Sequence, residues 1–415
     1  MNPNTLDCRG FTLQQSGLAI LKNYNEAENG AEFPVLIDAL DTGLRIWLIE
    51  AGARHRVEAK SDEGVCLTVE RRLSPGQGSI PGLHHLVAAG NNIWTCERDR
   101  HLVRVDGSTG QVAQVAEIAK KASHLAVSAD EKLVIVADSG TNELLAVTGE
   151  DLSVQHRWPA PGGPQLPLIT DEGIACVTGG GANAVTIVRP RRQGYEVQTI
   201  EVDASPHDPL ATTDGRLAFI PCAGDGTVEI MNLEDGRILG RHPAGDGCAH
   251  LVLHPDCTRL YSANTFDGTL SCLSIEGDLL AQEVSGPWAH QPAISPDSKF
   301  VYVANFFNDT ISVFDADNLN KITSLDTEPY PHGLEMSPDG RWLIATGFSS
   351  DHVRIYDAAT NKKSARIEVG RGSSHIAFLT DKKTAYVACS VDDHLARLDL
   401  DTMTCTQRIS PNRPH

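Results

Sequence analysis

Seven histidines recur at one position of a repeating sequence: His85, His124, His207, His250, His290, His332 and His375, with Gln165 in the eighth place. Neutral imidazole is the commonest side-chain ligand for Zn, Cu, Fe and Ni, and no carboxylate or thiol recurs at this position to compete with it. The chemistry implied is transition-metal binding, with copper or iron ahead of zinc and a haem-type cofactor behind both. Copying of an ancestral unit explains part of the series. It does not explain all of it, because the adjoining turn has drifted from SPDS and SPDG to AGNN, SADE, TTDG, HPDC and LTDK while histidine persists. Asp208 follows His207 and is the one carboxylate next to the series, so it is expected as a catalytic orienting acceptor or proton shuttle. Gln165 marks a gap where a cofactor or substrate would enter, and His84, beside His85, would orient a ligand through its other ring nitrogen. His101, His352 and His394 open the third strands of their units and read as outward-facing, and His254 reads as a turn residue. No GxGxxG, Gx4GK[ST], GxSxG or HExxH motif occurs, so the usual nucleotide, nucleophile-elbow and zinc-protease signatures are missing.

The elements that must position these histidines are strands. Residues 286–328 hold three runs rich in β-branched residues, FVYVAN, TISVFD and KITSLD, preceded by a short fourth, HQPAIS, and separated by turn formers. Residues 329–370 repeat the pattern, giving a period of about 42 residues and four strands per unit, which is the sequence mark of a β-propeller blade. Units begin near residues 81, 121, 162, 204, 247, 287, 329 and 372, so residues 84–415 are predicted to form an eight-bladed propeller. The first strand of a blade is innermost, and a residue at its start lies at one mouth of the central channel. Sheets stacked about 10 Å apart put eight blades on a ring of radius about 13 Å at mid-blade. The seven imidazoles therefore face one chamber, suited to a multinuclear cluster, to a subset of histidines on one ion, or to a planar cofactor held from the side.

The SPDG turns and YVAN second strands resemble the YVTN-type propeller repeats over about 330 residues. That superfamily includes the eight-bladed d-type-haem domains of the dihaem nitrite reductases, which also place histidines at the hub. The nitrous oxide reductases offer a similar arrangement, a copper cluster held by seven hub histidines in a seven-bladed propeller.

Residues 1–75 do not fit the period. They are predicted as strand (5–10), helix (13–27), strand (32–39), helix (42–53) and two strands joined by DEG, a small two-layer α/β domain, followed by a Pro/Gly-rich linker to residue 83. The opening Leu6-Asp7-Cys8-Arg9-Gly10 and the element order resemble the TusA/SirA-like sulfur carriers. The resemblance implies a Cys-Pro-x-Pro at the start of the first helix, where the helix N-terminus primes a thiolate. Here the matching residues are Leu13-Gln14-Gln15-Ser16, so the carrier cysteine is absent, and Cys8 reads as an inward-packing strand residue. The domain is expected to dock a sulfur-carrier or redox protein, or to cover the channel.

The chain has 415 residues and a formal net charge of −19, with no basic run, which makes nucleic acid and anionic membrane poor partners. Its ten cysteines form no CxxC pair and read as free core thiols, and no signal-like or membrane-length apolar stretch occurs. The expectation is a cytoplasmic, metal-dependent oxidoreductase, or a metallocofactor maturation protein, acting on a small nitrogen or sulfur species. The alternative is a non-catalytic interaction propeller linked to sulfur transfer.

Overall fold

The computed structural model describes residues 5–10, 32–38, 54–61, 64–70, 83, 85–97 and 100–411, together with Ser16, Ala19, Ile20 and Leu48. His84, most of the two predicted helices and most of the linker lie outside the described residues. The chain divides into two compact units, Met1–Ile80 and Pro81–His415.

The first unit contains a four-stranded sheet in the order Leu6–Asp7, Glu32–Ile37, Gly64–Glu70, Arg54–Ser61. The first pair is parallel and the other two are antiparallel. A parallel neighbour needs a crossover connection, and Ser16, Ala19 and Ile20, between those two strands, are helical, as is Leu48 further on. Cys8 is fully buried, and its N–H donates to the Leu36 carbonyl at 2.8 Å. Burial, then the charge of Asp7, pushes its thiol up to about 11, so at neutral pH it is not the thiolate that sulfur transfer needs.

The second unit is eight four-stranded antiparallel sheets, each made of four consecutive strands, spanning 86–117, 122–159, 165–201, 210–243, 248–284, 289–326, 331–368 and 373–409. Their middle strands are buried almost without alternation, as in Phe300–Asn305 and Thr310–Asp315. A strand reads this way when both faces of its sheet are covered. The outermost strands alternate, as Gln111–Glu117 does, because only one face is covered.

Every neighbouring pair of sheets has its own apolar core. Trp94, Leu102, Val134 and Leu145 join the first sheet to the second, and Tyr302, Val313, Leu334 and Tyr356 join the sixth to the seventh. Ile93, Val103, Tyr386 and Leu395 join the eighth back to the first, so the ring closes. The Tyr386 hydroxyl also donates to the Gly107 carbonyl at 2.8 Å, and Arg397 to that of Ser108 at 3.1 Å. First strands of neighbouring sheets, such as Cys248–Leu253, Ala289–Ile294 and Pro331–Met336, touch one another, which puts them at the hub. This is a propeller architecture. No helix among the described residues is long and apolar enough to cross a membrane. The cysteines are free, and burial pushes the thiols of Cys176 and Cys248 up to about 12.

Candidate functional site at the hub

All seven histidines of the sequence series lie at or just before the first strand of their sheets, and their rings form one chain of neighbours. Starting at His124, the ring centroids run 4.9 Å to His85, 5.2 Å on to His375, 5.1 Å to His332, 4.4 Å to His290, 4.3 Å to His250 and 4.9 Å to His207. The single interruption falls between His124 and His207, where Gln165 opens its strand. Gln165 pairs with Thr178 in the register that pairs His124 with Ala137 and His250 with Ala263, so it occupies the eighth place of the same ring.

Spacings of 4.3 to 5.2 Å close an octagon of radius about 6 Å at the imidazole centroids. A metal ion needs its nitrogens about 2 Å away. The expectation that a subset of the histidines converges on one ion is not met: among the described residues no three His, Cys, Asp or Glu side chains come together as a metal site. The physical reason lies in the repeat itself. Seven of the eight sheets contribute one imidazole each at one position, and the ring of sheets spreads them along a wall instead of gathering them at a point.

For two of these rings the environment favours the neutral form. Burial lowers His85 from its ordinary value to about 4, against the opposing charge of Asp208. Burial, and then the nearby His250, His332 and His207, holds His290 well below its usual value. Neutral rings keep lone pairs available as ligands or hydrogen-bond acceptors. His124, His250, His290 and His332 are buried, while His85, His207 and His375 are partly exposed.

Three of the seven, His85, His250 and His375, line a cavity of about 370 Å³ together with Asp208, a size at the lower end of small-molecule sites. Asp208 Oδ2 lies 3.4 Å from His250 Nδ1. A carboxylate there favours the tautomer protonated on Nδ1 and leaves Nε2 free to act. The wall is otherwise largely apolar, with Leu86, Leu125, Ile169 and Ile376, but it also carries Gln291 and Glu335.

Glu335 was missed by sequence reasoning although its signal is present. Strand register puts it opposite Ile344, the place where the other seven sheets have Val, Ala or Leu, including Val87, Ala126 and Ala293. It is the one acid in an apolar column. Protein on all sides of the channel pushes its carboxyl up to about 7, although the side chain itself is open to the channel.

An aromatic group beside one side of the ring was also missed. Phe306, Phe307, Tyr330 and Phe348 pack together at 5.0 to 6.4 Å, and Phe348 lies 4.5 Å from His332. Trp288 and Tyr330, each two residues before a ring histidine, have φ of 57° and 54°. Bulky residues rarely accept this left-handed backbone, and such strain gathers at functional sites. The signal was the aromatic residue in GPWAH and PYPH.

Of the histidines read as outward-facing, His394 is a correction. It is buried, with its Nε2 2.8 Å from the Val369 carbonyl oxygen, because the preceding sheet's last turn covers the start of its strand. His352 and His101 are partly exposed. His254 is a buried turn residue whose Nδ1 lies 2.6 Å from Asp256.

The profile of the family described as "Lactonase, 7-bladed beta-propeller" matches residues 183–358 and 323–415. No curated protein matches the chain. Among solved structures, dihydro-heme d1 dehydrogenase NirN in complex with DHE is 18% identical at a TM-score of 0.58, over 77% of this chain and 72% of that one. Kuenenia stuttgartiensis hydrazine synthase is 16% identical at 0.55, over 77% and 96%. A functionally unknown protein from Desulfotomaculum acetoxidans is 14% identical at 0.53, over 67% and 95%. At these identities the likeness is one of fold.

Proposed function

The chain belongs to the lactonase, 7-bladed β-propeller family, and on that footing we propose that its hub is a ligand site for a transition metal or metallocofactor, serving redox chemistry on a small nitrogen or sulfur species. We read each of the eight sheets as one blade, one more than the family description counts. The observation that carries the proposal is the unbroken file of seven imidazoles at one channel mouth, with its gap at Gln165. The donor type fits a metal such as copper or iron. The spacing fits several centres, or a planar group held by its edge, and not one ion. Fold likeness to structures named for a dihydro-heme d1 dehydrogenase and a hydrazine synthase supports the redox reading. Whatever ligand binds, this chain's residues set its surroundings: Asp208 orients His250, Gln165 leaves an opening, and the apolar wall thins the water around the site. The N-terminal unit would dock a sulfur-carrier or redox protein, since the deeply buried Cys8 does not suit carrying sulfur.

The test is elemental analysis of protein prepared without a histidine tag, compared with His85→Ala combined with His375→Ala. These two rings are neighbours and partly exposed, whereas His290 and His332 are buried and would cost packing as well as ligands. At least one equivalent of Cu, Fe, Zn or Ni is expected in the native protein and should fall to background in the variant. Compared metal-free, the two should differ in stability by about 0.5 kcal/mol or less. Metal-free native protein that takes up none of these ions would end the proposal.

Lactone opening, the reaction in the family's name, has one observation in its favour. The Asp208–His250 pair is placed to take a proton from a water attacking a bound carbonyl. Hydrolysis of a simple γ-lactone by metal-free protein, lost in Asp208→Asn, would select it over the redox reading.

A further inference from the structure

We propose that the hub cavity takes a small cation of the ammonium type, held by Glu335 as counter-charge with Asp208 and the ring imidazoles as hydrogen-bond acceptors. This names the ligand class of the site described above. It rests on the hub being open to small molecules, and not on its holding a metal.

The composition of the wall carries the inference. The cavity has two carboxyl groups, three imidazoles and one carboxamide, with no lysine or arginine among its lining residues. Its imidazoles include His85, whose Nδ1 has no hydrogen-bond partner among the described residues. An anion entering this space would meet carboxylate and no fixed positive charge. A cation would meet carboxylate and ring lone pairs. The whole chain's net charge of −19 biases the approach the same way.

Glu335 is the informative member. The buried carboxyls of this chain have cationic or hydrogen-bonding partners, as burial requires, whereas Glu335 is open to the channel. Glu328 is clasped by Arg354 and Arg366, Glu229 by Arg241, and Asp138 accepts the backbone N–H groups of Lys120 and Lys121. Among the described residues no hydrogen bond or ion pair reaches the Glu335 carboxyl. The surrounding protein, by limiting its solvation, raises it to about 7. The titratable groups that share the cavity with it are Asp208, His85, His250 and His375; its own strand adds His332, the strand before it His290, and the strand paired outside it presents Ile344. None of these supplies a fixed positive charge, so a bound ammonium group would complete the pair. Binding then displaces the proton Glu335 carries near neutrality.

The test is calorimetric titration of metal-free protein with methylammonium chloride and, separately, sodium nitrite at pH 6 and pH 8. Methylammonium should bind at pH 8 and about tenfold more weakly at pH 6, with nearly one proton released per cation at pH 6 and little at pH 8, as judged from two buffers of different ionisation enthalpy. Glu335→Gln, a near-isosteric change, should abolish both the pH dependence and the proton release. Nitrite should not bind. Nitrite binding in place of methylammonium, no methylammonium binding at either pH, or unchanged methylammonium affinity and pH profile in Glu335→Gln would each overturn the proposal. The hub metal would be untouched by those outcomes, because it is read from elemental analysis of the His85 and His375 variant.

Discussion

Glu328 and Glu335 lie seven residues apart in the chain and in opposite surroundings. Glu328 is almost fully buried and accepts from Arg354 at 2.7 Å, from Arg366 at 2.9 and 3.0 Å and from the Ser350 hydroxyl at 2.7 Å. Burial alone would raise its carboxyl, but the hydrogen bonds from Arg366 and Ser350 and the charges of both arginines outweigh it and hold the group below its usual range. Glu335 faces the hub with no such clasp and is raised. The same residue type is a fastener in one place and a proton-holding group in the other. What decides between them is whether the protein itself supplies the counter-charge. A buried acid satisfied by the protein reads as structure; an acid open to a cavity, with no counter-charge from the protein, reads as a place kept for something else.

The comparison can be broken most strongly at the fastener. Glu328→Ala should leave two guanidinium groups without their carboxylate and cost about 3 kcal/mol, seen as a lower denaturant midpoint. A loss within about 0.5 kcal/mol, the range of a surface change, would show that the clasp holds nothing together.

A finer probe uses pH, because hub groups shift in opposite senses. Glu335 is raised in the folded chain, so it favours folding below the ordinary carboxylate value near 4.5, and that contribution is lost as pH rises towards about 7. His85 is lowered to about 4, so its contribution is present above the usual 6.5 and is lost as pH falls towards 4. Glu335→Gln should therefore remove part of the stability loss on the alkaline side of that window, and His85→Gln part of the loss on the acid side. Chemical unfolding of metal-free protein across pH 4 to 8 measures both. Curves that superimpose on the wild type would mean that neither group sits in the environment described.

The sequence made the ring visible because a repeat turns register into a readable quantity. Once His85, His124 and His250 align on their turns, the strand pairings that place them follow from the same alignment, including the equivalence of Gln165. Whether the imidazoles meet at a point depends on rotamers and on the radius set by the number of sheets, and no spacing along the chain encodes either. His394 was misread for a similar reason: its strand is outward by count, but it is covered by the Val369–Gly370 turn of the preceding sheet. Glu335 could have been found by reading the apolar column for its exception rather than the polar column for its rule.

The seam of the ring has a consequence for how such a molecule can change. The first and eighth sheets each consist of four consecutive strands, and their join is made by packed side chains and by Tyr386 and Arg397 reaching to carbonyls, with no strand lent across it. The seam is thus topologically the same as any of the other seven interfaces. The circle has no privileged starting point, and a whole sheet can be gained or lost by duplication or deletion without rethreading the chain. A sequence profile built on seven blades can therefore align with a chain of eight sheets, and the number of imidazoles around the hub becomes a quantity that evolution can adjust one unit at a time.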